Sequence, residues 1–430
     1  MIAMIVHPAK KLSGSLRLPG DKSISHRAAM IAAMANGVSE ISNFAASADC
    51  GSTLSCLSSL GIDITRSGSD VTIAGGPFTP PLMPLDCGNS GTTMRLLTGV
   101  LAGRQVGATL TGDESLSSRP MGRVIDPLQE MGATIESADG KAPLVIAAGR
   151  PLTGIEHRLR IASAQVKSCL LLAGLGASGT TTVHEPAPTR DHTERMLRWF
   201  GAEIDTTSEG AISIRGGQTL SARSFGVPGD ISSAAFFLVA AAGLDGSEIT
   251  LEGVGLNPTR TGIIDVLRQA GVDLTITAER IECGEPVGDI AVRGSAAKLS
   301  AAKMLRLDGA MIANIIDEIP ILAVLGTQMG QGIEIRGAAE LRVKESDRIR
   351  TVVEGLRRMG SDVEEFEDGL RVLPTRLNGG RIDSHGDHRI AMAFAVAGLF
   401  AGDAVEIHGA ECVDVSFPGF FETLASVVLS

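Results

Sequence analysis

The stretch LPGDKSISHRA, residues 18–28, places Lys22, Ser23, Ser25, His26 and Arg27 directly behind a Pro19-Gly20 turn. A turn that opens a helix leaves backbone N–H groups unpaired. A lysine, a hydroxyl and an arginine one turn later add the charge and donors that an anion needs. The stretch is not a P-loop, because Asp21 stands where that motif requires a glycine before the lysine. Taken alone it is equally well a solvated corner. The same chemistry recurs, however. LDCGNSGTTMR carries Asn89, Gly91, Thr92 and Arg95, and IASAQVKS carries Ser163, Gln165 and Lys167. Further cations are Arg119 in SSRPMGR, Arg190 in PTRDHTER, Lys344 and Arg348 in RVKESDR, and Arg389 in HGDHR. One basic cap is ordinarily structural. Cations or hydroxyls at nearly every such start point to a highly anionic ligand bearing phosphate and carboxylate.

Two carboxylates stand among these cations, Asp317 in IIDEIP and Glu345 in KESDR. The plain structural readings are a helix N-cap for Asp317 and a surface i,i+3 ion pair for Glu345. Neighbouring cations would keep both ionised, as general bases require. His385 and His388 match no zinc spacing, so no metal is expected. No cysteine or serine is accompanied by a base arrangement that would specify covalent catalysis.

The elements that carry these residues repeat. Six segments, beginning at Ser23, Ser90, Ser163, Ser232, Asp317 and Asp387, open on Ser, Thr or Asp, run through an Ala/Leu-rich stretch and stop at a glycine. These are cap signals around helices apolar on all sides, hence buried. A second, amphipathic series closes on Gly61, Gly132, Gly201, Gly271 and Gly360. PGFFETLASVVLS resembles a sixth member. Alternating runs such as IDITRSGSDVTI and AEIDTTSEGAISI follow and read as hairpins. The period is roughly 70 residues, longer than solenoid repeats. Six units divide into two domains of three, with the break near SFGVPGD at 224–230. If three units surround a pseudo-threefold, their helix starts converge.

Composition agrees with a two-domain globular chain: 430 residues, 44% apolar, 3% aromatic and 52 glycines. The net charge of −11 and the lack of a basic tract argue against nucleic acid as a partner. The longest apolar run, 390–402, is too short to span a bilayer. No targeting segment is evident, and the six scattered cysteines read as free thiols of a cytoplasmic protein.

LPGDKSISHRA, GNSGTTMR, SRPM, SAQVKS, DEIP, KESDRI and HGDHRIAM, in this order along the whole chain, resemble the 5-enolpyruvylshikimate-3-phosphate synthase family. The resemblance implies an α/β fold of two domains, each of three βαβαββ repeats in an inside-out α/β barrel, with the active site in the cleft between them. It implies that the chain crosses between domains twice, so that 14–225 form the first domain and 1–13 with 226–430 the second. The implied reaction moves the enolpyruvyl group of phosphoenolpyruvate to the 5-hydroxyl of 3-phosphoshikimate and releases phosphate, with no metal or organic cofactor. Position by position, Lys22, Ser23, Arg27, Ser163, Ala164, Gln165, Arg190, Asp317 and Lys344 are implied to hold 3-phosphoshikimate. Lys22, Asn89, Gly91, Arg119, Gln165, Arg348 and Arg389 are implied to hold phosphoenolpyruvate. Asp317, Glu345 and Lys22 are the implied catalytic groups.

One departure is Val415 in DVSFPG, where some members place a lysine. Gly91 stands where an alanine in some members obstructs the inhibitor glyphosate, so a glyphosate-accepting pocket is expected. The sister transferase acting on UDP-N-acetylglucosamine is disfavoured because TGDESLSS lacks its reactive cysteine. A non-catalytic binding protein would need the cations but neither Asp317 nor Glu345. A monomer is expected from the resemblance.

Overall fold

The structure, a computed structural model, describes residues 3–207 and 210–429. The six apolar segments form the helices Lys22–Met34, Gly91–Arg104, Ala164–Gly174, Ile231–Gly243, Ile319–Gln328 and His388–Phe400. An Ala/Leu-rich helix has no polar face to offer water, and every residue of Ile231–Gly243 is buried. Among the described residues no helix is long and apolar enough to cross a membrane.

Ser90, Ser163 and Asp387 cap their helices as expected, each side chain accepting a backbone N–H of the first turn. The other three starts differ. Asp21, not Ser23, caps the first helix, and Asp230, not Ser232, caps the fourth. In both, an upstream carboxylate takes the orphan N–H and sits at the positive end of the helix dipole. Ile319–Gln328 begins behind Glu318, which leaves Asp317 outside the helix and rules out its reading as an N-cap. Of the glycines that close the apolar segments, Gly37, Gly179, Gly246 and Gly332 take φ of 108°, 81°, 69° and 80°, whereas glycines within the helices are packing sites. A Cβ at Gly174, Gly243 or Gly326 would lie 2.9, 2.6 or 2.4 Å from Ile214, Phe400 or Ile333.

The amphipathic helices Ala48–Ser59, Gly122–Glu130, His192–Trp199, Gly262–Gln269 and Arg348–Arg358 do end on glycines. Gly61, Gly132, Gly201, Gly271 and Gly360 take φ of 87°, 106°, 98°, 83° and 85°, the left-handed region that only glycine enters without strain. An antiparallel hairpin follows each. That after Gly201 pairs Ile204–Thr206 with Ile212–Arg215; its Ser208 and Glu209 lie outside the described residues. The sixth amphipathic helix is Phe420–Val427.

Among the described residues the strands form six sheets of three to five strands. The second repeat shows the βαβαββ pattern complete: Leu85–Asp86 runs parallel to Ala108–Thr111, which pairs antiparallel with Lys141–Ile146, itself paired to Ile135–Ala138. The first repeat borrows its opening strand, Phe225–Gly226, which lies parallel to Gly37–Ser42. The fourth borrows Lys11–Arg17, parallel to Glu248–Gly255. The sixth borrows Ala3–Val6, antiparallel to Val405–His408.

These loans set two compact units, one of 3–19, 228–280 and 286–429, the other of Gly20–Val227 with Ile281–Glu285. A boundary between residues 13 and 14 would cut the strand Lys11–Arg17 in two. Its ladder to Glu248–Gly255 keeps it whole in the first of these units. The chain also changes unit at 280/281 and 285/286, beyond the two crossings expected. Each unit has its own apolar core. In one, the helices Ile231–Gly243, Ile319–Gln328 and His388–Phe400 pack on one another, and Phe236, Phe237, Phe417 and Phe420 stack edge to face around them. Burying each such ring contributes about 1.5–3 kcal/mol.

Candidate active site

In the Gly20–Val227 unit, side chains link the starts of all three buried helices. Gly20 is fixed by contact, since a Cβ there would fall 1.8 Å from the Asn43 carbonyl. The half-buried Lys22 Nζ lies 3.1 Å from Asp49 Oδ2. Arg27 is buried and donates to Ser23 O (2.9 Å), Thr193 Oγ1 (2.7 Å) and Ser168 Oγ (2.8 Å). It therefore ties the Lys22 helix to the Ala164 and His192 helices. Arg95 donates to Gln165 Oε1 (2.6 Å), and Gln165 Nε2 donates to Thr92 Oγ1 (2.9 Å), which fixes the amide of Gln165 at the Gly91 helix start. Arg119 donates to Asn89 Oδ1 (2.8 Å), and Asn89 in turn donates to Asp113 (2.7 Å). A Cβ on Gly91 would lie 3.2 Å from Arg95 Nη1 and 3.4 Å from Arg119 Nη1. Ser163, Ala164 and Arg190 are half-buried close by in sequence to these groups.

Two residues flagged for their charge are not ligand-facing cations. Lys167 is 1% exposed and held by Glu185 (2.9 Å) and Glu194 (2.7 Å). His26 is buried, with Nδ1 2.7 Å from Thr53 Oγ1. Burial, reinforced by the Lys22 and Arg27 charges, holds its pKa well below the ordinary histidine value, so the ring is neutral. Thr53 continues to Thr93 and Thr93 to Ser90, a buried hydroxyl chain between two helix starts.

In the other unit a single guanidinium organises the carboxylates. Arg348, the first residue of its helix and 2% exposed, donates to Asp317 Oδ1 (3.2 Å), Glu345 Oε2 (2.6 Å) and Asp387 Oδ2 (2.8 Å). Burial alone would lower its pKa, but Asp387, Glu345 and Asp317 override this and raise it. The i,i+3 pair expected of Glu345 exists, then, but on a buried arginine rather than at the surface. Arg389 donates to the Asp317 carbonyl (3.0 Å), with its Nη1 3.9 Å from Glu318. Glu318 is buried and accepts from Ser232, to which Arg260 also donates (2.5 Å). The starts of these three buried helices are thus linked as well. Asp49, Glu318 and Arg260 escaped the sequence reading because their role appears only when distant helix starts meet.

Lys344 is half-buried. Burial of its ammonium lowers its pKa, with Asp317 opposing and Arg348 adding to the effect. A lysine whose pKa is lower in the fold than unfolded is penalised while charged. The penalty is present at neutral pH and fades as pH rises through the lowered pKa. Urea unfolding between neutral pH and about pH 10 should show the wild type gaining stability relative to Lys344→Met as pH rises. A constant difference would contradict this.

Against known proteins, residues 6–424 match the model of the EPSP synthase (3-phosphoshikimate 1-carboxyvinyltransferase) family. The chain belongs to the EPSP synthase family. A 3-phosphoshikimate 1-carboxyvinyltransferase of Desulfitobacterium hafniense is 51% identical over 432 residues, covering 99% of this chain and 98% of the relative. One from Bacillus velezensis is 49% identical over 419 residues, 96% of each. A solved EPSP synthase structure from Acinetobacter baumannii aligns with 43% identity and a TM-score of 0.88, covering 100% of this chain and 98% of that one. The EPSP synthase match spans both sets of linked helix starts, and the α/β fold agrees with it.

Proposed function

We propose that this chain transfers the enolpyruvyl group of phosphoenolpyruvate to the 5-hydroxyl of 3-phosphoshikimate, releasing phosphate, in the route to chorismate and the aromatic amino acids. The observation that carries the chemistry is Arg348 holding Asp317 and Glu345 at once. Two proton-transfer groups fixed on one permanent cation suit an addition at one carbon and a protonation at its neighbour.

In the proposed cycle Asp317 takes the proton of the 5-hydroxyl as its oxygen attacks C2. Lys22 and Glu345 deliver a proton to C3 and take one back on elimination. The tetrahedral intermediate is not bonded to protein, and the C2–O bond to phosphate breaks in the second half. Lys22, Ser23, Arg27, Ser163, Ala164, Gln165, Arg190, Asp317 and Lys344 are assigned to 3-phosphoshikimate. Lys22, Asn89, Gly91, Arg119, Gln165, Arg348 and Arg389 are assigned to phosphoenolpyruvate, which reaches Arg348 by displacing a carboxylate bond. Preset cations of this kind stabilise charge as it develops. The enzyme is assigned to the cytoplasm as a monomer, on the family resemblance. Phosphate release that requires both substrates, with the enolpyruvyl product seen by mass spectrometry, tests the reaction. Binding of 3-phosphoshikimate without release would sink it.

Glyphosate is assigned to the phosphoenolpyruvate pocket. Gly91→Ala puts a methyl group against Arg95 and Arg119. It should weaken glyphosate inhibition by about tenfold or more and raise KM for the shorter phosphoenolpyruvate by less. Equal effects on both would contradict the placement.

A further inference from the structure

We propose that Glu285 is a positioning residue for the 3-phosphoshikimate side of the site. The inference rests on the function proposed above for Arg27, Gln165 and Arg190. Glu285 closes the turn between the strands Asp273–Glu282 and Glu285–Arg293, where Cys283 and Gly284 both take positive φ. Turn residues are ordinarily solvated, yet this carboxylate is 1% exposed, and an acid is rarely buried without a role. Only the five residues Ile281–Glu285 of this hairpin belong with the Gly20–Val227 unit.

What Glu285 meets there is a junction of three consecutive residues at a helix start. His192 Nδ1 lies 2.7 Å from Glu285 Oε1. Thr193 accepts from Arg27 and donates to Ser168, both at 2.7 Å. Ser168 donates to the Ala164 carbonyl (2.6 Å). Glu194 holds Lys167, which also grips Glu185 of the loop that leads to Arg190. Arg195 adds a bond to the Gly284 carbonyl (3.1 Å). Arg27, the Ser163–Gln165 stretch and Arg190 therefore share one anchor, and Glu285 fixes it from a segment 93 residues away. Displacing such groups by a fraction of an ångström to one ångström is enough to cost binding and rate.

The test is calorimetric titration of the full chain with 3-phosphoshikimate, alongside KM for phosphoenolpyruvate and thermal unfolding followed through the lone Trp199. Glu285→Ala should raise the Kd for 3-phosphoshikimate by about tenfold and raise KM for phosphoenolpyruvate, which shares only Gln165 of the anchored groups, by less. Glu285→Gln, which keeps the acceptor oxygen, should restore most of the affinity. Should Glu285→Ala fail to fold, His192→Ala removes the same bond and is read by the same criterion. A variant that melts earlier but binds 3-phosphoshikimate like the wild type overturns the inference and leaves the proposed function standing. A wild type that does not bind 3-phosphoshikimate overturns both.

Discussion

Asp317→Asn should lower kcat by about 10³-fold and leave 3-phosphoshikimate affinity within about threefold. The amide keeps an oxygen for Arg348 Nη1 and can still meet the substrate hydroxyl, but it cannot take the proton. The bond from Arg389 goes to the Asp317 backbone carbonyl and survives the change. Arg348 also retains Glu345 and Asp387, so little stability should be lost. Single-turnover phosphate release with calorimetric binding separates the two effects. A kcat within tenfold of wild type would remove Asp317 from the proton-transfer role.

Arg348→Met should cost about 3–5 kcal/mol of stability, read as the shift of the urea unfolding midpoint. Asp387 is fully buried and Asp317 and Glu345 partly so, and all three share this one guanidinium. Its loss strips the buried Asp387 of its guanidinium, while Asp317 keeps Arg389 Nε at 3.8 Å. Arg348→Lys should recover only part, because a point charge cannot reproduce a planar fork that serves three partners. Adding Asp387→Asn to Arg348→Met should restore stability, since the costliest orphaned charge is then gone. A single Arg348→Met variant within 1 kcal/mol of wild type would show that the cluster does not depend on the arginine.

The helical half of the fold was legible because its signals are local. An unbroken Ala/Leu run must be buried, and a glycine at a helix end announces φ above zero, as at Gly61 and Gly360. The borrowed strands were not legible in the residues themselves. Phe225–Gly226 is two residues long and has no period, and Lys11–Arg17 finds its partner some 235 residues away. The helix starts were misplaced by two residues where an aspartate preceded the serine. In the site, residue type identified Asp317, Glu345 and Arg348 as candidates, but spacing favoured dull roles for the carboxylates. Only the buried guanidinium between them changes that weighting. Lys167 shows the converse error, a lysine of the right type at the right helix that faces two glutamates in the core.

The borrowing of Lys11–Arg17 sets the order in which the chain can fold during synthesis. The Gly20–Val227 stretch finds nearly all its partners within itself, so it can collapse while later residues are still being made. The strand made before it cannot. It must wait, with both edges unpaired, for Glu248–Gly255 on one side and Val428–Leu429 on the other. At about 5–20 residues per second the first wait lasts on the order of ten to fifty seconds. Over that interval an open strand edge is a template for any neighbouring chain. Its sequence, KLSGSLR, carries a lysine, an arginine and a glycine among polar residues, and has only two leucines to offer a stranger. A strand that must stay available to a partner not yet translated is here one with little to attract anything else.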